Sequence, residues 1–137
     1  MKVNRDIFKE YDIRGKYPRE INAKVVCQIS RAFAKFLKLK EKDIIVVGRD
    51  KRPSSEILTK AFIAGLANFE VSVLDIGKVS TPMLYFAVPF LGASGGVMIT
   101  ASHLSQNNNG IKFVRRDAQP IGGKEIQKIY EIAKNQH

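Results

Sequence analysis

At 137 residues the chain is the size of one domain, large enough to bury a core of its own, and its 45% hydrophobic and 26% charged residues are those of an ordinary globular protein. A single cysteine, Cys27, excludes an intramolecular disulfide, no apolar run approaches the ~20 residues that span a bilayer, and the charged opening MKVNRDIFKEYD is unlike a secretory signal, so a cytoplasmic protein is expected. The formal charge of +10 suits anionic partners, but the basic residues are scattered along the whole length, which favours a solvated basic surface over a dedicated nucleic-acid arm.

In chain order, residues 6–15 (DIFKEYDIRG) read as a short strand over 7–11 and then a turn at Gly15. Asn22 caps a helix whose apolar stripe is Val25, Ile29, Phe33, Phe36 and Leu37, with Lys24, Arg31, Lys35 and Lys38 largely off that stripe. Cys27 falls in this pattern as a small core residue rather than a nucleophile. The β-branched run Ile44-Ile45-Val46-Val47, ending at Gly48, predicts a buried parallel strand. In the following GRDKRPSS, Gly48 permits a sharp turn, Ser54 or Ser55 can cap the next helix, and Arg49 and Arg52 bring charge to that helix's N-terminus. The helix, over 54–69, turns Ile57, Leu58, Ala61, Phe62, Gly65 and Leu66 to one side, with Gly65 marking close packing of helix on sheet.

Residues 71–75 give a third strand, and Thr81-Pro82 opens a helix that Pro89 ends. Gly95 and Gly96 precede Val97-Met98-Ile99, a buried run that stops at Thr100-Ala101-Ser102-His103, where the backbone leaves the sheet. A polar loop and Gly110 lead into Ile111-Lys112-Phe113-Val114, which follows too closely for a crossover and is therefore expected to run antiparallel at an edge. Residues 115–120 read as a loop, and Gly122-Gly123 opens a last helix carrying Ile126, Ile129, Tyr130 and Ala133. Strand and helix alternate, so the expected fold is a single α/β domain: a three-layer α/β/α arrangement with a mixed, mostly parallel sheet and one antiparallel edge strand.

Open α/β sheets place ligand chemistry outside the carboxyl ends of their strands, and Ser102 lies at such an end. A serine beside His103, with Lys112 on the next strand, suits phosphoryl or acyl transfer. Spacing alone is equally met by a polar loop, by Arg14 as a surface-turn arginine, and by an Arg49–Asp50 surface pair. No G-x-S-x-G elbow is present, which argues against a hydrolase, and one cysteine without paired histidines argues against a metal site made by this chain alone.

Five segments in order, YDIRG, VGRDxRxS, GxxxTP, GGVMITASH and NGIKF, resemble the α-D-phosphohexomutases, the phosphomannomutase/phosphoglucomutase family. Thr100, Ala101, Ser102, His103, Asn109, Gly110 and Lys112 match its active-site loop, whereas Leu104 and Ser105 stand where that family has Asn-Pro, a proline that would fix one backbone dihedral. The resemblance implies a phosphoserine mutase. Phosphorylated Ser102 gives its phosphoryl group to a hexose monophosphate, and the resulting bisphosphate returns its other phosphate, so that phosphate moves between the 1- and 6-positions. It implies that Arg14 and Lys112 supply fixed positive charge, that Lys112 also handles the proton of the attacking sugar hydroxyl, that His103 orients the loop or shares that role, and that Tyr11, Arg49, Asn109 and Thr100 bind substrate phosphate or support those groups, with Arg49 bracing the loop.

It further implies Mg2+, held mainly by a second domain outside this chain and by an oxygen of phosphorylated Ser102. The chain would then be the first of four domains, inactive alone, with a phosphorylated hexose and the remaining mutase domains as its partners. His137, the other histidine, is given no role. The alternative is a stand-alone basic interaction module with a degenerate mutase loop. Its few aromatics sit at core spacings rather than between basic residues, which disfavours nucleic acid, and no membrane partner is expected.

Overall fold

The computed structural model describes residues 2–136; His137 lies outside the described residues. Six strands, β1 (Ile13–Lys16), β2 (Ile44–Arg49), β3 (Ser72–Lys78), β4 (Gly95–Ile99), β5 (Asn108–Arg115) and β6 (Gln119–Pro120), form one sheet in the order β1-β5-β4-β2-β3, with β6 beside β5. Strands β3, β2 and β4 pair in parallel; β4–β5, β5–β1 and β5–β6 pair antiparallel. The parallel core and the antiparallel end give the expected mixed sheet, but the 109–114 strand is not its edge: β5 lies between β4 and β1, because residues 13–16 add an outer strand beyond it.

Four helices cover the sheet: α1 (Ala23–Leu37), α2 (Pro53–Leu66), α3 (Thr81–Phe90) and α4 (Lys124–Lys134). One face carries α1, α2 and α4 over a core containing Phe33, Phe62 and Phe113, with the Phe33 and Phe113 rings stacked at 4.9 Å between centroids. The other face carries α3 alone, over Val46, Leu84, Val88, Met98 and Val114. In each antiparallel pair directly opposed residues share a face. Arg14, Gly110, Lys112, Met98 and Val114 thus belong to the α3 side, and Ile13, Ile111, Phe113, Val97 and Ile99 to the three-helix side.

Local chemistry explains most boundaries. Asn22 caps α1 by accepting from the Val25 N–H at 3.0 Å, as its position predicts. Several expectations are corrected. Residues 5–7 form a short 3-10 turn and not a strand, with only Phe8 bridging to Ile13, and Gly15 lies within β1 rather than in a turn. The second helix begins at Pro53 and not at Ser54, its cap residue being Arg52. Proline needs no N–H in a first turn, which frees Ser54 and Ser55 for other partners. Ile57 is half exposed. Gly65 packs against α1 rather than the sheet: a Cβ there would lie 2.6 Å from the Cys27 carbonyl oxygen. Ser80, not Thr81, caps α3, and Pro89 sits inside that helix, which continues to Phe90.

Candidate active site

The site is built where β4 leaves the sheet. Its five residues are all buried, and Thr100 beyond them remains tied in by donating its N–H to the Gly110 carbonyl at 3.0 Å. Thr100 also accepts the Ser102 N–H on its hydroxyl at 2.9 Å, turning the chain outward. Ser102 itself is exposed, with φ of +56°, the left-handed region that costs an L-residue about 1–2 kcal/mol. His103 beside it is exposed, and Leu104 is 40% exposed.

A loop in such a conformation needs something to hold it, and the holder is Arg52. Its side chain is only 8% exposed, and its guanidinium reaches into the back of the loop. One terminal nitrogen donates to the Ser105 and Asn108 carbonyls at 2.5 and 3.2 Å, the other to the Ser102 and Leu104 carbonyls at 3.0 and 2.5 Å. Asp50 fixes the guanidinium from the other side: its carboxylate accepts from Arg52 Nε and from the Arg52 backbone N–H, each at 3.1 Å, and from the Ser55 hydroxyl at 2.5 Å. Asp50 is anchored in turn, donating its N–H to the Ile99 carbonyl at the end of β4. All five donor positions of a guanidinium lie on its planar fork, which is why an arginine rather than a lysine can serve several acceptors at once.

Asn109 closes the loop at its far end. It is fully buried and donates its side-chain amide to the Ser54 and Ser55 hydroxyls at 2.8 and 3.0 Å, while its oxygen accepts the Gly110 N–H. Asn109 and Thr100 therefore support the loop from within. Arg49, expected to brace it, instead donates to Asp75 at 3.4 Å, with its Nε buried and unpartnered, so neither the bracing role nor an Arg49–Asp50 pair is what the structure shows. Sequence reasoning gave that role to the wrong arginine of the GRDKRPSS segment. Arg52 and Asp50 carried a signal, since both lie in the motif, but spacing cannot say which of two nearby arginines points inward.

The cations stand on the α3 side of the sheet. Arg14 opposes Gly110, whose own carbonyl pairs with Thr100, so about two strand spacings of ~4.8 Å separate the Arg14 and Thr100 backbones. Gly110 has to lack a side chain here, because a Cβ would fall 3.1 Å from Arg14 Cγ and closer still to the Ile13 carbonyl. Arg14 is half exposed, paired through Nε with the buried Asp12 carboxylate at 3.0 Å, and it lines one cleft together with Lys16, Leu104 and Asn108. Lys112 lies one rung further in, opposite Met98, and forms no ion pair among the described residues. Across this face, burial and the Asp12 carboxylate both raise the Tyr85 phenol above its ordinary value of 10.0. Tyr11 is not part of this grouping: it is 74% exposed and packs beside Gly122.

A serine hydroxyl thus stands free at the carboxyl end of a buried strand, on a loop pinned from behind, with an arginine in the adjoining cleft and a lysine on the same face. The family profile described as "Phosphoglucomutase/phosphomannomutase, alpha/beta/alpha domain I" matches residues 5–137. A phosphomannomutase of Escherichia coli is 44% identical over 128 residues, covering 90% of this chain and 28% of its own length. One of Klebsiella pneumoniae is likewise 44% identical over 128 residues, covering 90% of this chain and 80% of its own. The crystal structure of a phosphoglucomutase/phosphomannomutase family protein from Burkholderia thailandensis superposes with a TM-score of 0.86 at 36% identity, over 96% of this chain and 30% of that one. The chain spans less than a third of the Escherichia coli and Burkholderia proteins.

Proposed function

The chain belongs to the phosphoglucomutase/phosphomannomutase family as its α/β/α domain I, and from that premise we propose that Ser102 is the phosphoryl carrier of a phosphosugar mutase. The observation that carries this is the exposed Ser102 hydroxyl on a loop whose carbonyls Arg52 holds from behind, with Arg14 lining a cleft with Leu104 and Asn108 of that loop. In the forward half-reaction the hydroxyl of a hexose monophosphate attacks the phosphorus of phosphorylated Ser102. A bond forms between that oxygen and phosphorus as the serine oxygen leaves, and the hydroxyl proton ends on the departing serine oxygen. His103, exposed next to Ser102, can relay that proton. The bisphosphate then returns its other phosphoryl group to Ser102, completing a net move between the 1- and 6-positions. Arg14 and Lys112 contribute fixed positive charge against the charge spread over the transferring group.

The family also implies magnesium, which neutralises charge on a transferring phosphoryl group when bound. Among the described residues no group of three or more His, Cys, Asp or Glu could hold it, and Asp50, the carboxylate behind the Ser102 loop, is taken up by Arg52 and Ser55. What the described residues would offer such an ion is the oxygens of a phosphorylated Ser102. The carboxylates that would hold it, like the groups selecting the sugar, belong on this reading to the remaining domains, which are also the domain's partners. No described helix is long and apolar enough to cross a membrane, and a phosphorylated hexose, being charged and membrane-impermeant, fits a cytoplasmic setting.

The test joins this chain to the remaining domains of the Escherichia coli relative and measures phosphomannomutase and phosphoglucomutase turnover. Ser102→Ala should abolish it while the protein stays folded; an unchanged rate removes Ser102 as carrier. The 137-residue chain alone should show no turnover with either substrate.

A further inference from the structure

We propose that the Ser102 loop is a backbone oxyanion nest, that its ligand is a phosphoryl dianion, and that Arg52 is the positioning residue that creates it. Arg52 gathers four carbonyls, those of Ser102, Leu104, Ser105 and Asn108. A trans peptide holds its C=O and N–H antiparallel, and the peptides of this loop are trans. Drawing the Ser102, Leu104 and Ser105 carbonyls inward therefore drives the N–H groups of His103, Ser105 and Gln106 outward. Those three amides have no hydrogen-bond partner among the described residues, whereas the neighbouring Ser102, Leu104 and Asn108 amides are satisfied by Thr100, Ala101 and Ser105.

Three donors without a partner among the described residues, on the outer side of a loop that visits the left-handed region, are available to an anion. The Ser102 hydroxyl stands in the same stretch, so oxygens of a phosphoryl group held there meet backbone donors as well as the side-chain cations. The buried guanidinium adds positive charge behind the peptides and polarises them further in the same sense. Asp50 is the counterweight that keeps the guanidinium aimed at the loop, through its two contacts to Arg52 and its own tie to the end of β4. The departure at Leu104-Ser105 acquires a reason. Ser105 needs its N–H to serve as a nest donor, and a proline there would remove it. Arg52 then supplies from behind the rigidity that a proline ring would supply within the loop.

The proposal deepens the Ser102 reading by naming what holds the phosphoryl group, but the nest is testable without turnover. Inorganic phosphate is titrated into the 15N-labelled 137-residue chain at constant ionic strength, with chloride as control, while amide resonances are followed. The His103, Ser105 and Gln106 amide protons should move downfield and saturate together with phosphate and stay still with chloride. Arg52→Lys, which keeps the charge and can still pair with Asp50, should weaken phosphate about tenfold through lost positioning, and Asp50→Asn should shift binding the same way. Unchanged β2 and β4 resonances certify that the variants are folded, and if neither variant folds, the wild-type shifts alone decide. Phosphate shifts confined to Arg14, Lys16 and Lys112, or loop shifts that Arg52→Lys leaves equally strong, overturn the proposal. The source of the phosphoryl group is read separately: phosphorylation of Ser102 should displace free phosphate from the three amides. Loop shifts with phosphate in the 137-residue chain, together with turnover that survives Ser102→Ala in the protein completed with the relative's domains, would sink the carrier role while leaving the nest standing.

Discussion

Ser102 combines an exposed hydroxyl with a backbone conformation that serine disfavours, and both properties have one origin in the Thr100 and Arg52 contacts that turn the loop outward. This makes a stability prediction separable from activity. At most sites glycine is less stable than alanine because it frees the unfolded chain, but at a left-handed residue the Cβ penalty outweighs that entropy. Ser102→Gly should therefore unfold at a higher urea concentration than Ser102→Ala, by up to about 1 kcal/mol, and the reverse order would show the conformation to be unstrained. Much at this scale was readable beforehand. The TASH and NGIKF segments named Ser102, Asn109 and Lys112, and YDIRG named Arg14; the fold sets Ser102 on the loop after β4, Asn109 at that loop's far end, Arg14 across from Gly110, and Lys112 one rung further in, opposite Met98. Side-chain direction was not readable: Arg49 and Arg52 lie three positions apart on either side of a strand end, and only the fold decides that the first faces Asp75 and the second enters the loop.

Among the elements, the helices on the three-helix face follow from apolar spacing, and their stripes were legible in the sequence. The α1–α2 contact was not, since Gly65 signals close approach without saying to what, and Cys27 and Ser30 of α1 are its neighbours. The β1–β5 pairing was also hidden: residues 13–16 carry a glycine and two cations, a poor strand pattern, and they pair only because Gly110 leaves room for Arg14. Helix α3 lies alone on its face and brings Tyr85 toward Asp12, whose carboxylate joins burial in raising the phenol. The unfolded chain begins to release that proton around pH 10.0, where the folded chain still holds it. Above that pH the native state binds more protons, so stability falls as pH rises, while below it the contribution is constant. Tyr85→Phe should flatten this alkaline decline, read as urea midpoints between about pH 9 and 11; a decline of the same steepness in the variant would place its source elsewhere.

For the whole molecule, the charge of +10 exceeds what its own carboxylates can balance. Part of that charge is internal: Arg52 is spent on loop carbonyls and Asp50, and Arg14 is half balanced by Asp12. Alternation of strands and helices made the three-layer fold legible, as did the ordered run of family motifs. What the sequence could not supply is the inward guanidinium on which the loop depends, because it is a tertiary contact between segments about fifty residues apart. The proposed function rests on phosphoryl transfer through one serine. The direct measurement is to expose the chain, completed with the remaining domains of its Escherichia coli relative, to a hexose bisphosphate labelled in its phosphates, and to locate the label by mass spectrometry of the digested protein. The account predicts one phosphoryl group, on Ser102, that is lost on adding hexose monophosphate; turnover without label on Ser102, or label on another residue, would contradict it.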